Sequence, residues 1–589
     1  MPWAFVGLLP SNVCLSVMKP NRSSPSWRGI KPSPPAESLQ DLMMWPVWIC
    51  TRLIGFPSEP AEPPSASCST PSPQKRQRKS KKQQEAQVEF GGAEAEASRQ
   101  LRFVRLMQHW MGMMFFSTDY SGVDTPRWCF HAVFRVLSEA FSTTDERVQF
   151  IRSCDRGSKQ SDVLTSIGQE HNTCHQGDML SRLPMEARQM IRSAMPDGDA
   201  PLDERVKANH WIEQWLMDNR QWVFSKEAKF KCKVHGRDCY AHPCMYLRAD
   251  QPLNSKVRPM LLNVAGVTCV AWSAEGAREG DGHESCIWNS CWLAERMLLA
   301  EELAEDAAFF ECTALYPIQR KLVDPLCQTH EVIWLRTNPI WMGYPSVRHR
   351  VLGVAINNKT TRWVGPDTQE ERELDFARCF NRDFVLPGCV FLCTSEDERW
   401  EHYHKMAKAR NSVLNLDELK MLDPLDFLIE IGPPGLSQRA REWREYHQTI
   451  GGLPGYLADL DHHPGQGNKA SYVSGVQPFP LQLTHGMVAE VGTGKGPDIS
   501  RIATPWEHFI AHGFHMTGEV CHDSDKCPLR QTLNSFNFKD AELKALAGNG
   551  MSMITQTAFM LWCLSYIERV DPTVDQSCDE DSVGGDDWD

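Results

Sequence analysis

The chain lacks any long apolar run that is free of prolines and charges. Residues 42–56 contain Pro46 and Arg52, and they are too few to span a bilayer, which takes about 20 apolar residues. No basic residue precedes the mildly apolar residues 3–18, and Pro10 interrupts that run. We therefore predict neither a secretory signal nor a membrane segment.

Each end of the chain lacks one sign of charge: residues 1–36 contain no acidic residue, and residues 571–589 contain no basic one. No acidic residue comes before Glu37, whereas four basic residues do, and this balance keeps an organellar transit peptide as an alternative. Residues 571–589 hold eight acidic residues and no basic one, so they supply most of the net charge of −13. The nearly neutral remainder excludes a wholly basic, histone-like protein but allows a local basic cleft.

Cysteine is plentiful, with 21 residues, but it forms no small-domain framework, which predicts reduced intracellular thiols. The 589 residues, 41% of them hydrophobic and 23% charged, suffice for a large core of two lobes with tails. Residues 1–100 are rich in Pro and Ser and carry a basic cluster at 75–82. We expect a disordered arm there, with the cluster serving as a nuclear-import signal or touching nucleic acid.

From residue 101 the pattern alternates between strands and helices. A strand, a tight loop and a helix follow one another at residues 113–141, and a second such unit spans residues 148–178 with Asp155 after its strand. This alternation predicts an α/β fold built on a parallel, doubly wound, Rossmann-like sheet. The sheet pattern resumes at Leu261 and continues past Val351.

Domain boundaries follow from breaks in this pattern. The predicted units are a disordered arm at 1–100, a core at 101–352 with an insertion at about 185–258, a smaller irregular lobe at 353–500, a helical return to the core at 501–570 and an acidic tail at 571–589.

Three strand ends carry reactive or charged side chains. Cys269 lies in a loop just after the apolar strand 261–264, and Glu311 ends the strand 307–311. Arg348 and Arg350 stand at the start of a third strand. A single cysteine in such a loop is more often a buried thiol, and the arginines could simply pair with surface carboxylates. The ordered set nevertheless predicts an active site, because open α/β sheets place theirs at the carboxyl ends of the strands.

In this order and spacing the chain resembles a diverged member of the cytosine carbon-5 DNA methyltransferases. The family's Gly-x-Pro-Cys-Gln-x-x-Ser, Glu-Asn-Val and Gln-x-Arg-x-Arg motifs are similar to residues 266–273, 311–313 and 346–350. Its cofactor and C-terminal motifs are similar to residues 118–123, 155, 177–179, 501–514 and 547–551. The resemblance covers roughly residues 115–185, 260–352 and 500–567.

The resemblance implies a Rossmann-like, S-adenosylmethionine-dependent methyltransferase that acts on a cytosine flipped out of DNA. Cys269 would add to carbon 6 of the base. Glu311, held partly protonated in a dry pocket, would serve nitrogen 3, and Arg350 with Arg348 nearby would offset negative charge at the carbonyl oxygen. The alternative interpretation of Asp155 is a solvated acid at the end of a strand, with no part in the site.

The same motifs imply a cofactor site made of Tyr120, Ser121, Gly122, Val123, Asp155, Asp178, Met179 and Asn549. Tyr120 would stack on adenine, and Asp155 would accept from the ribose hydroxyls. Gly122 would permit close backbone approach, and Asn549 would close the pocket from the C-terminal segment.

Several supporting positions depart from the family pattern. Thr268 and Val270 replace the proline and glutamine that flank the nucleophile, and Ser346 replaces a glutamine. Cys312-Thr313 stand where Asn-Val is usual, and the cofactor loop lacks its later glycines. Because the reactive residues remain, we expect a diverged but active enzyme. A non-catalytic nucleic-acid-binding protein and a transfer-RNA methyltransferase are the alternatives.

The insertion carries five potential metal ligands within thirteen residues, namely Cys232, His235, Cys239, His242 and Cys244. Two-residue gaps recur in zinc sites, which keeps a small structural metal as an alternative. The spacing fits no standard finger, however, so no metal ligand is predicted.

The expected partner is DNA, with RNA as the alternative and no membrane; the sequence leaves the oligomeric state open. Arginine and lysine side chains contact the phosphates of a nucleic acid, so we expect them in the cleft between the lobes. The lobe at 353–500, which the resemblance implies is the target-recognition lobe, offers such side chains, namely Lys405, Lys408, Arg410, Arg439, Arg441 and Arg444.

Overall fold

The computed structural model describes residues 93–141, 148–247, 258–267, 270–273, 278–382, 386–412, 415–450, 452–453, 455–465, 477–480, 486–492, 500–516 and 528–570. Residues 1–92 of the predicted arm with their basic cluster, the acidic tail, Thr268 and the predicted nucleophile Cys269 lie outside these residues. Residues 93–100, predicted to belong to the disordered arm, are instead part of the helix Ala93–Met111.

The strands are β1 Met114–Asp119, β2 Val148–Cys154, β3 Cys174–Gln176, β4 Lys229–Lys231, β5 Asp238–Tyr240, β6 Met260–Gly266, β7 Ala307–Thr313, β8 His330–Thr337, β9 Arg350–Asn357, β10 Thr361–Trp363, β11 Leu457–Asp459, β12 Val488–Glu490, β13 Arg501–Ile502 and β14 Ile567–Arg569. One sheet contains seven of them, in the order β3-β2-β1-β6-β7-β9-β8. Its strands are parallel except β9, which is antiparallel to β7 and β8. The predicted fold class, an α/β fold built on a Rossmann-like sheet, is confirmed by this strand order.

The α-helices are α1 Ala93–Met111, α2 Thr125–Phe141, α3 Ser158–His171, α4 Met185–Ala194, α5 Leu202–Asp218, α6 Arg220–Val223, α7 Ser285–Glu301, α8 Asp324–Leu326, α9 Gln369–Phe380, α10 Glu396–Ala409, α11 Leu416–Lys420, α12 Pro424–Ile431, α13 Pro434–Thr449, α14 Pro505–Ile510, α15 Pro528–Asn534, α16 Asp540–Asn549 and α17 Met553–Tyr566. Among the described residues, no helix combines the length and apolar character that a bilayer crossing requires.

Side chains that alternate along the central strands face two different cores. Leu262 and Phe309 belong to one core with helices α2 and α17, whereas Ala265 and Phe310 belong to the other with helices α5 and α7. The strands β1, β6 and β7 are buried along almost their whole length. This is the burial expected of parallel strands that helices cover on both faces.

The lobe after β10 was predicted to be irregular, but it contains the helices α9 to α13. Helices α9 and α11 begin at capping boxes, formed by Thr368 with Glu371 and by Asn415 with Glu418. Helices α12 and α13 carry proline in the first turn. Proline is compatible with that position because the missing N–H would have no partner there. These prolines therefore start helices instead of breaking them.

The insertion covers the edge of the sheet at β3. The hairpin β4-β5 approaches β3, and the backbone N–H of Lys233 donates to the carbonyl of His175 at 3.0 Å. Phe230 of the hairpin shares a small apolar cluster with Cys174 of the strand. Covering an edge strand in this way protects it from pairing with another chain.

Candidate active site

The loop after β1 holds three residues in the left-handed region. Tyr120, Gly122 and Asp124 have φ of 52°, 58° and 61°, a conformation that glycine adopts freely and that aspartate tolerates better than most residues. Asp124 stands where the family pattern has a later glycine. Its carboxylate accepts from Nε of Arg127 at 2.8 Å and from Oγ1 of Thr118 at 3.1 Å. The tight turn therefore forms without the second glycine.

Asp155, the predicted ribose acceptor, follows β2 at the same edge of the sheet. Its Oδ2 accepts from the backbone N–H of Gly122 at 2.9 Å, and its Oδ1 accepts from the backbone N–H of Gly157 at 2.9 Å. Burial raises the pKa of Asp155, and these two N–H groups act against that rise. Asp155 thus connects the first two strand-end loops.

Asp178 and Met179 follow β3 and lie close to the other predicted cofactor residues. Oδ1 of Asp178 accepts from the indole N–H of Trp288 at 3.2 Å. Met179 is buried, and its sulfur lies 3.5 Å from the hydroxyl of Tyr120. Sequence reasoning missed Trp288, because the helix α7 that carries it is buried along nearly its whole length and shows no polar face.

The remaining predicted cofactor residues lie in the β1 loop, for Ser121 and Val123, and at the end of α16, for Asn549. Ser121 and Val123 are buried within the loop, and the Ser121 hydroxyl donates to the carbonyl of Cys154 at 3.2 Å. Asn549 ends α16 with an exposed side chain. Its carbonyl oxygen lies 4.0 Å from the place that a Cβ on Gly122 would occupy. The backbone of Asn549 therefore approaches the loop.

The strand ends that carry the predicted chemistry are neighbours. Gly266, the last residue of β6, pairs in register with Glu311 near the end of β7. A Cβ on Gly266 would lie 3.1 Å from the carbonyl oxygen of Tyr120 and 3.1 Å from Cε of Met551. The β1 loop, the end of β6 and the C-terminal segment thus converge at Gly266.

Glu311 contacts both predicted arginines. Its Oε1 lies 2.9 Å from Nε of Arg350 and 3.7 Å from Nε of Arg348. The carboxylate and Arg348 are buried, and Arg350 is partly exposed. The sequence predicted separate contacts of the acid and the arginines with a base. In the structure these groups bind each other.

Arg348 is also tied to the C-terminal segment. Its Nη2 donates to the carbonyl of Gly550 at 2.5 Å, and its Nη1 donates to the carbonyl of Gly548 at 3.4 Å. Its backbone N–H donates to Oδ1 of Asn338 at 3.0 Å. Asn338 belongs to no motif, so sequence reasoning missed it. Arg348 therefore joins the glutamate of β7 to the C-terminal residues 548–550.

A buried ion-pair network lies beneath the β1 loop. Asp119 accepts from Nη2 of Arg152 and from Nη2 of Arg182, each at 3.0 Å, and from the amide of Asn263 at 2.9 Å. Arg182 also pairs with Glu295 at 3.1 Å, and all five side chains are buried. The network joins β1, β2, β6 and α7 directly under the site. Arg152, Arg182 and Asn263 follow Asp119 in the chain by 33, 63 and 144 residues. No local sequence pattern therefore indicates the network.

The cations of the lobe after β10 are partly neutralised. Lys405, Arg439 and Arg444 each pair with a carboxylate of the same lobe, at 2.8, 2.9 and 2.7 Å. Lys408 and Arg441 have exposed side chains. Phosphate contacts from this lobe would therefore fall first to the exposed cations.

No family model and no curated protein matches the chain. Similar solved structures include the Entamoeba histolytica methyltransferase EhMeth, with a TM-score of 0.36, 9% identity and coverage of 77% of this chain and 98% of that one. The S. pombe Dnmt2 methyltransferase has a TM-score of 0.36, 10% identity and coverage of 77% and 98%. A Spodoptera frugiperda DNMT2 mutant has a TM-score of 0.32, 10% identity and coverage of 77% and 99%.

Proposed function

We propose that the protein transfers a methyl group from S-adenosylmethionine to carbon 5 of cytosine in DNA, with Cys269 as the nucleophile. The observation that carries the proposal is the contact of Glu311 with Arg350 and Arg348 at the strand ends beside β6. Glu311 pairs in register with Gly266. Cys269 follows Gly266 by three residues, which span at most about 11 Å. This chain length would let the thiol reach the charged groups.

S-adenosylmethionine supplies an electrophilic methyl group on a sulfonium when it is bound. The residues around the β1 loop fit such a group, because the loop stands where the strand order reverses between β1 and β6, and doubly wound sheets bind nucleotide-like ligands there. Asp155 and Asp178 offer carboxylate acceptors beside the ring of Tyr120. Gly122 has no side chain to obstruct a ligand. These four residues would hold the cofactor.

Cytosine carbon 5 is too weak a nucleophile to take a methyl group unaided. Addition of the Cys269 thiolate to carbon 6 makes carbon 5 enamine-like, so that it can form the new carbon–carbon bond. Arg350 and Arg348 would offset the negative charge that the addition puts on the ring, and Glu311 would hold nitrogen 3. Loss of the carbon 5 proton then expels the thiolate and restores the ring.

DNA is the proposed polymer, and the nucleus is the proposed location because of the basic cluster at residues 75–82. The base must leave the stack to reach a pocket at the strand ends. The exposed Lys408 and Arg441 of the helical lobe are suited to contact the phosphates.

The test is methyl transfer by the full-length protein from tritiated S-adenosylmethionine to cytosine-containing duplex DNA or to transfer RNA. The matched variants are Cys269→Ala and Cys327→Ala, since Cys327 is an exposed free cysteine away from the site. We expect 5-methylcytosine in DNA from the wild type and from Cys327→Ala, and none from Cys269→Ala. Transfer to RNA alone would show that the substrate is RNA and not DNA. No transfer to either polymer by a folded protein would refute the proposed activity.

A further inference from the structure

Four potential metal ligands from separate parts of the chain meet at the edge of the sheet. Cys174 is the first residue of β3, and Cys232, His235 and Cys239 belong to the hairpin β4-β5 and its turn. One ligand atom from each of the four residues lies within 4.8 Å of the other three. Only the fold brings Cys174 to the hairpin, since 57 residues of chain lie between it and Cys232.

The spacing of these atoms matches a tetrahedral metal site. Nδ1 of His235 lies 3.4 Å from Sγ of Cys174, 3.4 Å from Sγ of Cys232 and 3.5 Å from Sγ of Cys239. Zinc binds sulfur at about 2.3 Å and imidazole nitrogen at about 2.0–2.1 Å, and a tetrahedron with those bond lengths has sulfur-to-nitrogen edges of about 3.5 Å. The imidazole nitrogen therefore stands at one corner of such a tetrahedron.

Surrounding groups hold the ligands in the orientation that a metal needs. Nε2 of His235 lies 3.0 Å from Oδ1 of Asn172, a contact that leaves Nδ1 free of its proton and directed at the sulfurs. The hydroxyl of Tyr246 lies 3.2 Å from Sγ of Cys174, and the backbone N–H of His235 donates to Sγ of Cys232 at 3.5 Å. Hydrogen bonds of this kind fix the ring and sulfur positions around protein-bound metals.

The hairpin also needs a stabilising element that its packing does not provide. Each of its two strands has three residues, and a hairpin of that size is marginal on its own. The buried apolar cluster beneath it contains Phe230 and Ala241 but otherwise consists of the cysteines themselves. The turn after Cys232 is tight, with Gly236 at φ 64° and its N–H donating to the Cys232 carbonyl at 3.0 Å.

We propose that Cys174, Cys232, His235 and Cys239 bind one structural Zn²⁺ ion that fastens the insertion to the edge strand β3. Three thiolates and one imidazole are the donors that zinc prefers, and four protein ligands leave no open position for a substrate. Binding displaces the three thiol protons. The proposal does not depend on the proposed methyl transfer.

The site differs from the cluster that the sequence suggested. Cys174 joins it, whereas His242 and Cys244 do not take part. Nδ1 of His242 lies 3.5 Å from Glu295, and Cys244 packs beside Leu261 in a separate apolar cluster. The sequence did not indicate this arrangement, because Cys174 comes from β3, outside the insertion.

The first test is metal analysis and zinc X-ray absorption of the full-length protein, purified under reducing conditions and reconstituted with zinc salt alone. We expect one zinc ion per chain, with three sulfur neighbours at about 2.3 Å and one nitrogen neighbour at about 2.0–2.1 Å. Zinc well below one ion per chain, or a coordination shell of oxygen and nitrogen only, would overturn the proposal.

Variants provide the second test. Asn172→Ala leaves all four ligands in place and should lower zinc affinity about 10–100-fold. His235→Cys should retain one zinc ion and convert the shell to four sulfurs, while the control Cys244→Ser should bind zinc as the wild type does. Unchanged affinity in Asn172→Ala together with an unchanged shell in His235→Cys, or loss of zinc in Cys244→Ser, would place the metal elsewhere.

Discussion

Nε of Arg350 lies 2.9 Å from Oε1 of Glu311, an ion pair across the antiparallel strands β7 and β9. The two side chains meet on a diagonal, because Glu311 lies opposite Leu352, two residues beyond Arg350. The acid and the cation are thereby fixed as one unit at the strand ends. A cytosine that enters would face this unit and not two independent groups.

Glu311→Gln should abolish most of the activity. The substitution keeps the size of the side chain but removes the charge that Arg350 and Arg348 contact, so kcat for methyl transfer should fall about 10²–10³-fold. The affinity for S-adenosylmethionine should not change. The control is Glu331→Gln, since Glu331 pairs with Arg372 on another part of the surface. Equal kcat values for the two variants would contradict the assigned role.

Asp155→Ala should weaken cofactor binding without removing the fold. Asp155 holds the N–H of Gly122 in place and is the proposed acceptor for the ribose. A hydrogen bond to a charged group contributes about 1.5–3 kcal/mol, so the dissociation constant for S-adenosylmethionine should rise about 10–100-fold. Titration calorimetry measures this directly. Asp162→Ala, on the exposed face of α3, is the control, and a similar effect of both variants would argue against the assignment.

Asp119→Asn should destabilise the whole core. It leaves Arg152 and Arg182 as buried charges with an incomplete set of partners, which costs about 3–5 kcal/mol of the free energy of unfolding. Urea denaturation provides the measurement. The control is Glu568→Gln, whose pair with Arg362 is largely exposed and is worth about 1 kcal/mol or less. If Asp119→Asn lowers the free energy of unfolding no more than the control does, the network is not needed for stability.

Stability should fall with acidification because of His330. Burial, followed by the nearby Arg296, lowers the pKa of His330 to about 3, against about 6.5 in the unfolded chain. Between these values the unfolded chain binds more protons, so the stabilisation is present above pH 6.5 and is lost as the pH falls towards 3. From pH 7.5 to 5 the wild type should lose about 2 kcal/mol more than His330→Gln. Parallel losses in the two proteins would refute this explanation.

The sequence predicted the parts of the fold that local patterns encode. Apolar strands followed by turn residues and helices located β1, β2, β6 and β7, and the charged residues at their ends located Asp155 and Glu311. The cofactor-loop motif also marked Gly122, whose contact with Asp155 the structure supplies. These features depend on residues that are close in the chain.

The features that the sequence did not reveal depend on contacts between distant residues. Asp119 meets Arg182 and Asn263 only after the sheet has formed, and Cys174 meets Cys232 only after the insertion has folded back onto β3. The helices after Thr368 differ from the predicted irregular lobe for another reason: prolines that interrupt a sequence pattern can stand in the first turn of a helix, as they do in α12 and α13.

Attack of the Cys269 thiolate on carbon 6 of a cytosine can be trapped with a DNA duplex that contains 5-fluorocytosine. Fluorine cannot leave carbon 5 as a proton does, so the enzyme stays bonded to the methylated base. After incubation with S-adenosylmethionine and proteolysis, mass spectrometry should find the nucleotide on the peptide that contains Cys269, in the wild type and in Cys327→Ala. An adduct on a different cysteine, or no adduct on a protein that binds the cofactor and the duplex, would contradict the account.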